Sequence, residues 1–483
     1  MTPESTQLSL IEDPSNVLSI EMEANHHPSP GGTATTLSQL QPHAAGIDVG
    51  ANSHWVCVPA HHEQSVREFG CFTTALKQLA DWLESCGIKS VAMESTGVYW
   101  IPLFQILETR GMEVCLVNAR SVKNVPGRKT DVLDCQWIQQ LHSFGLLSAS
   151  FRPDDQICVL RSYIRHRESL MRSSIVHVHR MQKALDQMNL HLHRVLTDIT
   201  GKTGMSIIRA IVSGERDPKH LASFRDPRVK RSEADIAASL TGNYRDELLF
   251  ILKQELSLYD TYRDQMSQCD SEIEQYLKQF EDKIDEDELA SSSSSTRRRK
   301  PKGNTPKFDL HTHLYRISGV DFTQIAGLDT LSVLNIISEV GLDPTRFPSV
   351  KNFCSWLGLS PGSNITGGKV KNTKTRKVVN RAANAFRLAA QSLHHSNSAL
   401  GAYYRRMKSR LGPAKAITAT AHKLARMFYS LWRNGGRYVD PGVDAYEKQY
   451  QERVMNNLQR RAKSMGCKIV PLTSESELSE SVS

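Results

Sequence analysis

Four acidic residues in three short stretches could do chemistry together. They are Asp48 in Gly46-Ile-Asp-Val-Gly50, Glu94 in Ala92-Met-Glu-Ser-Thr-Gly97, and Asp131 with Asp134 in Gly127-Arg-Lys-Thr-Asp-Val-Leu-Asp134. Asp48 and Glu94 each close an apolar, strand-like run. Asp131 and Asp134 stand three apart at a predicted helix start, so they share one face. Carboxylates that converge need a cation, and hard oxygen ligands suit Mg²⁺ or Mn²⁺. Two such ions can clamp the attacking and leaving oxygens of a phosphodiester exchange. Singly, each acid reads as a solvated loop carboxylate. The case for a site rests on all four falling on fitting elements.

Those elements follow from hydrophobic periodicity. Strands are predicted at 44–49, 54–59 and 68–73, then a helix at 74–85 with Leu76, Leu79, Ala80 and Leu83 on one stripe. A strand at 90–94, a helix at 99–110, a strand at 113–118 and a helix at 130–144 follow. The order β-β-β-α-β-α-β-α is that of an α/β ribonuclease-H-like fold. In open α/β sheets, sites collect at the carboxyl ends of adjacent strands. That topology brings residues 48, 94, 131 and 134 together.

The length of 483 residues allows two or three domains. The net charge of +9 is uneven: residues 344–439 hold 18 Lys or Arg and no acid, leaving 42 basic against 51 acidic residues elsewhere. One segment thus carries the whole positive excess, which reads as a polyanion surface, nucleic acid before membrane. The nine cysteines form no Cys-x-x-Cys pair and read as reduced thiols. No apolar run is long enough to span a bilayer, and no secretory signal pattern opens the chain.

The predicted organisation is a polar tail (1–42), a catalytic α/β domain (43–150), a helical domain (151–290), a basic low-complexity linker (291–307), a mostly α-helical basic domain (308–440) and a tail (441–483). Heptads run through 160–195, interrupted at Arg167 and Ser174, and through 247–280. They fit either a coiled-coil seam between subunits or two helices packed within one chain. In the basic domain, a Gly- and Ser-rich loop at 362–369 ends on Lys369, and Lys371, Lys374, Arg376, Lys377 and Arg381 follow, placed on a helix; all six are read as phosphate contacts. Tyr403 and Tyr404, beside Arg405 and Arg406, suit base stacking.

Taken in order, Gly46-Ile-Asp48, Glu94-Ser-Thr-Gly97, Lys129-Thr-Asp-Val-Leu-Asp134 and the Gly-Leu-Ser-Pro…Thr-Gly-Gly-Lys369 segment resemble the DEDD-type transposases of bacterial insertion sequences, relatives of the Piv-type DNA invertases. The resemblance runs from about residue 44 to 437. It implies a RuvC-like first domain with Asp48, Glu94, Asp131 and Asp134 as ligands of Mg²⁺ or Mn²⁺, and nucleic-acid contacts at Arg128 and Lys129. It implies a nucleophilic hydroxyl in the last domain. The family's serine falls at Thr366, with Ser363 three residues away as the other candidate. It further implies recombination of double-stranded DNA, a guide RNA in some members, homodimers joined into tetramers through a coiled coil, and a cytoplasmic, nucleoid-associated prokaryotic protein. Two other functions fit the same residues. One is a metal-dependent nuclease or Holliday-junction resolvase using water. The other is an inactive nucleic-acid-binding regulator.

Overall fold

The computed structural model describes residues 39–118, 130–285, 304–362, 364–372, 374–376 and 380–470. The chain divides into two compact units between Phe151 and Arg152. The first contains β1 (Ala44–Val49), β2 (Ser53–Cys57), β3 (Val66–Gly70), α1 (Thr73–Ser85), β4 (Ser90–Glu94), α2 (Trp100–Thr109), β5 (Glu113–Val117) and α3 (Asp131–Ser143). The sheet order is β3-β2-β1-β4-β5. The first three strands pair antiparallel, while β1–β4 and β4–β5 pair parallel. This mixed sheet is compatible with the ribonuclease-H-like order expected.

Side chains on a strand alternate between the two faces. Ile47, Val49, Val56, Val91 and Met93 face one way and form a core with Leu79, Leu83, Leu103 and Leu107 of α1 and α2. Ala92 faces the other way and packs with Val117 and Ile138 of α3. Gly46 and Asp48 share one face of β1. Ser90 and Glu94 share the face of Ala92 on β4.

The second unit opens with a pair of long helices, α4 (Asp155–Gln187) and, after α5 (Lys202–Val212), α6 (Pro218–Ser223) and α7 (Glu233–Ser239), α8 (Asp246–Leu277). Contacts run antiparallel: Tyr276 donates to the Gln156 carbonyl at 3.1 Å, Arg167 pairs with Asp270, and His177 Nδ1 lies 2.6 Å from Glu255. The heptads therefore pack α4 and α8 against each other within one chain. Met181 and Leu185 are buried in a core completed by α5 and its neighbours, at 0% and 1% exposure, rather than on a free seam. The heptad breaks have structural reasons too. Arg167 is buried against Asp270, and Ser174 bonds back to the Met171 carbonyl.

The rest of the unit is mostly helical: α9 (Leu310–Ser318), α10 (Thr330–Val340), α11 (Val350–Trp356), the hairpin β6 (Asn364–Thr366) and β7 (Lys369–Asn372), α12 (Arg381–Ser392), α13 (Ala399–Leu411), α14 (Pro413–Asn434) and α15 (Gly442–Ser464). Phe322, Phe353, Phe386 and Phe428 fill its core, with the rings of Phe322 and Phe428 stacked at 4.1 Å. Arg165 of α4 grips Glu339 of α10 at 2.9 Å, tying the helical pair to this core. Residues 442–464, a tail by composition, are a helix anchored by buried Tyr446 against α13. Among the described residues no helix is long and apolar enough to cross a membrane.

Candidate active site and nucleic-acid surface

Glycine 46 sets the position of the acids. A Cβ there would lie 2.2 Å from the Gln139 backbone nitrogen and 2.5 Å from the Cys135 carbonyl, so only glycine lets α3 lie directly on β1. Gln139 donates to the Ala44 carbonyl at 3.2 Å, and His142 meets Ser90 of β4 at 2.8 Å. Contacts thus pass from the start of β1 and the end of α3 toward the end of β1 and the start of α3. The first turn of α3, with Asp131 and Asp134, falls at the Asp48 end of the strand.

Local chemistry supports that placement. Thr130 caps α3 by accepting from the Leu133 nitrogen, and two acids in the first turn suit the positive end of the helix dipole. The Cys135 thiol is held above the ordinary thiol range by its hydrogen bond with Cys57 and by burial, and the charge of Asp48 pushes the same way. Asp48 therefore lies within electrostatic reach of α3. Across the sheet, β1 and β4 pair Ile47 with Met93, so Asp48 and Glu94 come next in register. Glu94 accepts from the Thr96 hydroxyl at 2.8 Å, and Ser95 bonds to the Val117 carbonyl.

The backbone therefore brings Asp48, Glu94 and the Asp131–Asp134 turn to one end of one sheet face. Asp131 is exposed and the other three are half-buried. The donor set, all carboxylate oxygen, fits a hard divalent cation. Among the described residues, however, no three His, Cys, Asp or Glu side chains stand together ready to hold one. The expected contacts Arg128 and Lys129 lie outside the described residues.

In the basic segment the structure departs from the expected loop and helix. Thr366 pairs with Lys369, and Gly367 and Gly368 between them have φ of +57° and +75°. Both central residues of this two-residue turn need positive φ, so both are glycine. The glycines make the turn of a hairpin. Thr366 is exposed at its tip, as are Lys369 and Lys371 on the returning strand. Ser363 and Lys377 lie outside the described residues. Lys374 is exposed beyond the hairpin, and α12 begins only at Arg381. Arg381 is bound to Glu168 of α4 at 2.6 Å, and Arg376 donates to Ser355 of α11 at 2.7 Å. Those two cations position the hairpin base before they meet any ligand.

The aromatic pair is also committed. Tyr404 is buried, Arg405 donates to the His394 and Ser396 carbonyls, and Arg406 stacks on Tyr450 while pairing with Glu447. Lys423 covers the face of Tyr403 at 4.5 Å. Sequence reasoning overlooked the row of cations on α14, because it reads as ordinary helix surface.

Sheet order, acid placement and basic helical unit are compatible with a DNA-processing enzyme of the transposase class. Residues 45–190 match a model of DEDD transposases of the IS110 type, and residues 321–405 match the transposase IS116/IS110/IS902 family. Over those two stretches the chain is similar to the DEDD-type insertion-sequence transposases. No curated protein matches it.

Proposed function

We propose that this chain is a recombinase that cleaves and rejoins double-stranded DNA through two functional groups, the acids of the first unit and the hydroxyl of Thr366. The observation that supports this most is the packing of α3 onto Gly46, which sets three carboxylate-bearing segments at one end of one sheet face. Asp48, Glu94, Asp131 and Asp134 would hold Mg²⁺ or Mn²⁺. A bound divalent ion supplies neutralisation of the charge that builds on a reacting phosphodiester.

Thr366 supplies the attacking oxygen. Its bond to phosphorus forms as the strand's sugar oxygen leaves, and the threonine proton passes on to solvent or a base. The reverse step, by a new DNA hydroxyl, rejoins the strand and frees Thr366. An exposed hairpin tip suits such a role, since it presents the Thr366 hydroxyl at the surface. The β-methyl restricts χ1, so threonine should be a slower nucleophile than serine. Guidance by an element-encoded RNA and assembly into dimers or tetramers belong to the same proposal.

The test is a strand-cleavage assay on end-labelled DNA with excess Mg²⁺. Label should become protein-linked with the wild type and not with Thr366→Ala. Cleavage without any protein-linked label would point to a water-using nuclease. A linkage that persists in Thr366→Ala and disappears in Ser363→Ala would move the nucleophile to Ser363.

A further inference from the structure

Apart from the acids and the hairpin, α14 carries a feature neither accounts for. A groove of about 720 Å³ lies between this helix and the segment Pro348–Val350 that leads into α11. Lys423, Arg426 and Arg433 line it from α14, together with Ser430 and Asn434. These positions recur at helical spacing, so they form one face. No acid lines the groove among the described residues, and neither Lys423 nor Arg426 has a carboxylate partner among them. Three like charges on one face repel, and a bound polyanion would relieve that repulsion.

Each cation is held differently. Lys423 is half-buried with its ammonium over the Tyr403 ring at 4.5 Å and near Tyr446 at 5.5 Å. Burial, then the charges of Arg453 and Arg426, pull its pKa below the ordinary lysine value. Arg433 is steered by the Tyr429 hydroxyl at 3.0 Å. Tyr429 is itself buried and donates to the Phe347 carbonyl at 2.6 Å. Arg426 is exposed. The groove thus has two cations held by neighbouring aromatic groups, Lys423 and Arg433, beside the exposed Arg426, and no exposed aromatic face among its lining residues on which a base could stack.

We infer that this face of α14 grips the sugar-phosphate backbone of a nucleic-acid strand, by charge and without reading sequence. Lys423 and Arg433 lie ten residues apart, about 15 Å along the helix, which matches the axial rise of roughly four nucleotides of one strand. Ser430 and Asn434 add neutral donors between the charges. The inference rests on the proposed nucleic-acid function but uses none of its catalytic residues. DNA and RNA share this backbone chemistry, so the experiment has an arm for each.

The assay is fluorescence anisotropy of the full chain with a 30-bp DNA duplex and with an RNA strand of equal length, over a salt series. Each lost phosphate contact should lower the salt slope by about 0.9 for duplex DNA and about 0.7 for a single strand. For Lys423→Gln/Arg426→Gln this amounts to a roughly 30-fold weaker duplex affinity at 0.15 M salt, if affinities converge at 1 M. Arg426→Gln alone, at an exposed position, should give about one unit of slope and leave the melting curve unchanged. Lys423→Arg/Arg426→Lys, which keeps both charges, should restore the wild-type slope. Arg460→Gln on the exposed end of α15 should change little.

A drop with DNA only, or with RNA only, identifies the strand that lies here. Wild-type slopes for Arg426→Gln and the double variant with both polymers would overturn the inference, even if the protein recombines DNA. A slope loss in a chain that never cleaves DNA would keep the groove and remove the catalytic proposal.

Discussion

Glycine 46 gives the sharpest test of how the site is built. In Gly46→Ala a single methyl would press on backbone atoms of α3 at 2.2 and 2.5 Å. To reach ordinary contact the helix must retreat by about 1 Å. Overpacking of this kind costs about 1–3 kcal/mol, offset in part by the lower entropy of alanine in the unfolded chain. With a net loss of about 2 kcal/mol and a urea slope near 2 kcal/mol per molar, the first transition should move down by about 1 M. The same shift displaces the α3 turn that carries Asp131 and Asp134. A 1 Å misplacement of catalytic groups costs on the order of 100-fold in rate. Hydrogen exchange by mass spectrometry should show lost protection over residues 131–143 while β2 and β3 hold. Gly70→Ala is the control, since its methyl would meet only the Ala75 side chain at 3.7 Å. If Gly46→Ala unfolds and cleaves like the wild type, α3 is not seated on β1 as described.

Other outcomes follow from single contacts. Asp48→Ala and Asp134→Ala should abolish Mg²⁺-dependent strand cleavage yet leave DNA retention and the circular-dichroism spectrum intact; wild-type cleavage in either would remove these residues from the site. Thr366→Ser should match or exceed wild-type recombination, and a large loss would show that the threonine orders the hairpin instead. Asp270→Ala strands the buried Arg167 charge and should cost about 3–5 kcal/mol in denaturant unfolding; a cost below ~1 kcal/mol would mean water reaches the pair. Leu185→Ala should cost about 2–5 kcal/mol with no change of oligomer by light scattering, because its partners are intrachain. His311 lies 3.1 Å from Asp321, whose hydrogen bond raises the histidine's pKa above its ordinary value. A raised pKa stabilises the fold fully at pH values below the unfolded-state one, and that gain is lost as pH climbs through the folded value. The stabilisation that His311 contributes to the second unit should therefore be lost as pH rises above the ordinary histidine range, and comparison with His311→Gln over a pH series of denaturant unfolding isolates it.

The four acids and their order along the chain were legible from residue types alone, as were the bounds of β1 and β4 and the helices to within a residue, whereas β2 and β3 lie one to three residues earlier than expected. β1 and β4 are short, nearly continuous apolar runs, and α1 carries an apolar stripe at helical spacing. The heptads of α4 and α8 were equally visible, but a repeat does not name its partner. Only the paired contacts, Gln156 with Tyr276 and His177 with Glu255, showed that each helix packs on the other. The hairpin at Thr366 was hidden because three- and four-residue strands carry too little periodicity, and Gly-Gly reads alike as flexible loop or tight turn. Charge misled in the same segment: Arg376 and Arg381 look like phosphate contacts in sequence, yet Ser355 and Glu168, distant along the chain, claim them in the fold. Composition counts charges and periodicity orients them locally. Which cations are spent on the protein itself, and which are left facing a groove as on α14, depends on contacts between residues far apart in sequence, and those exist only once the chain has folded.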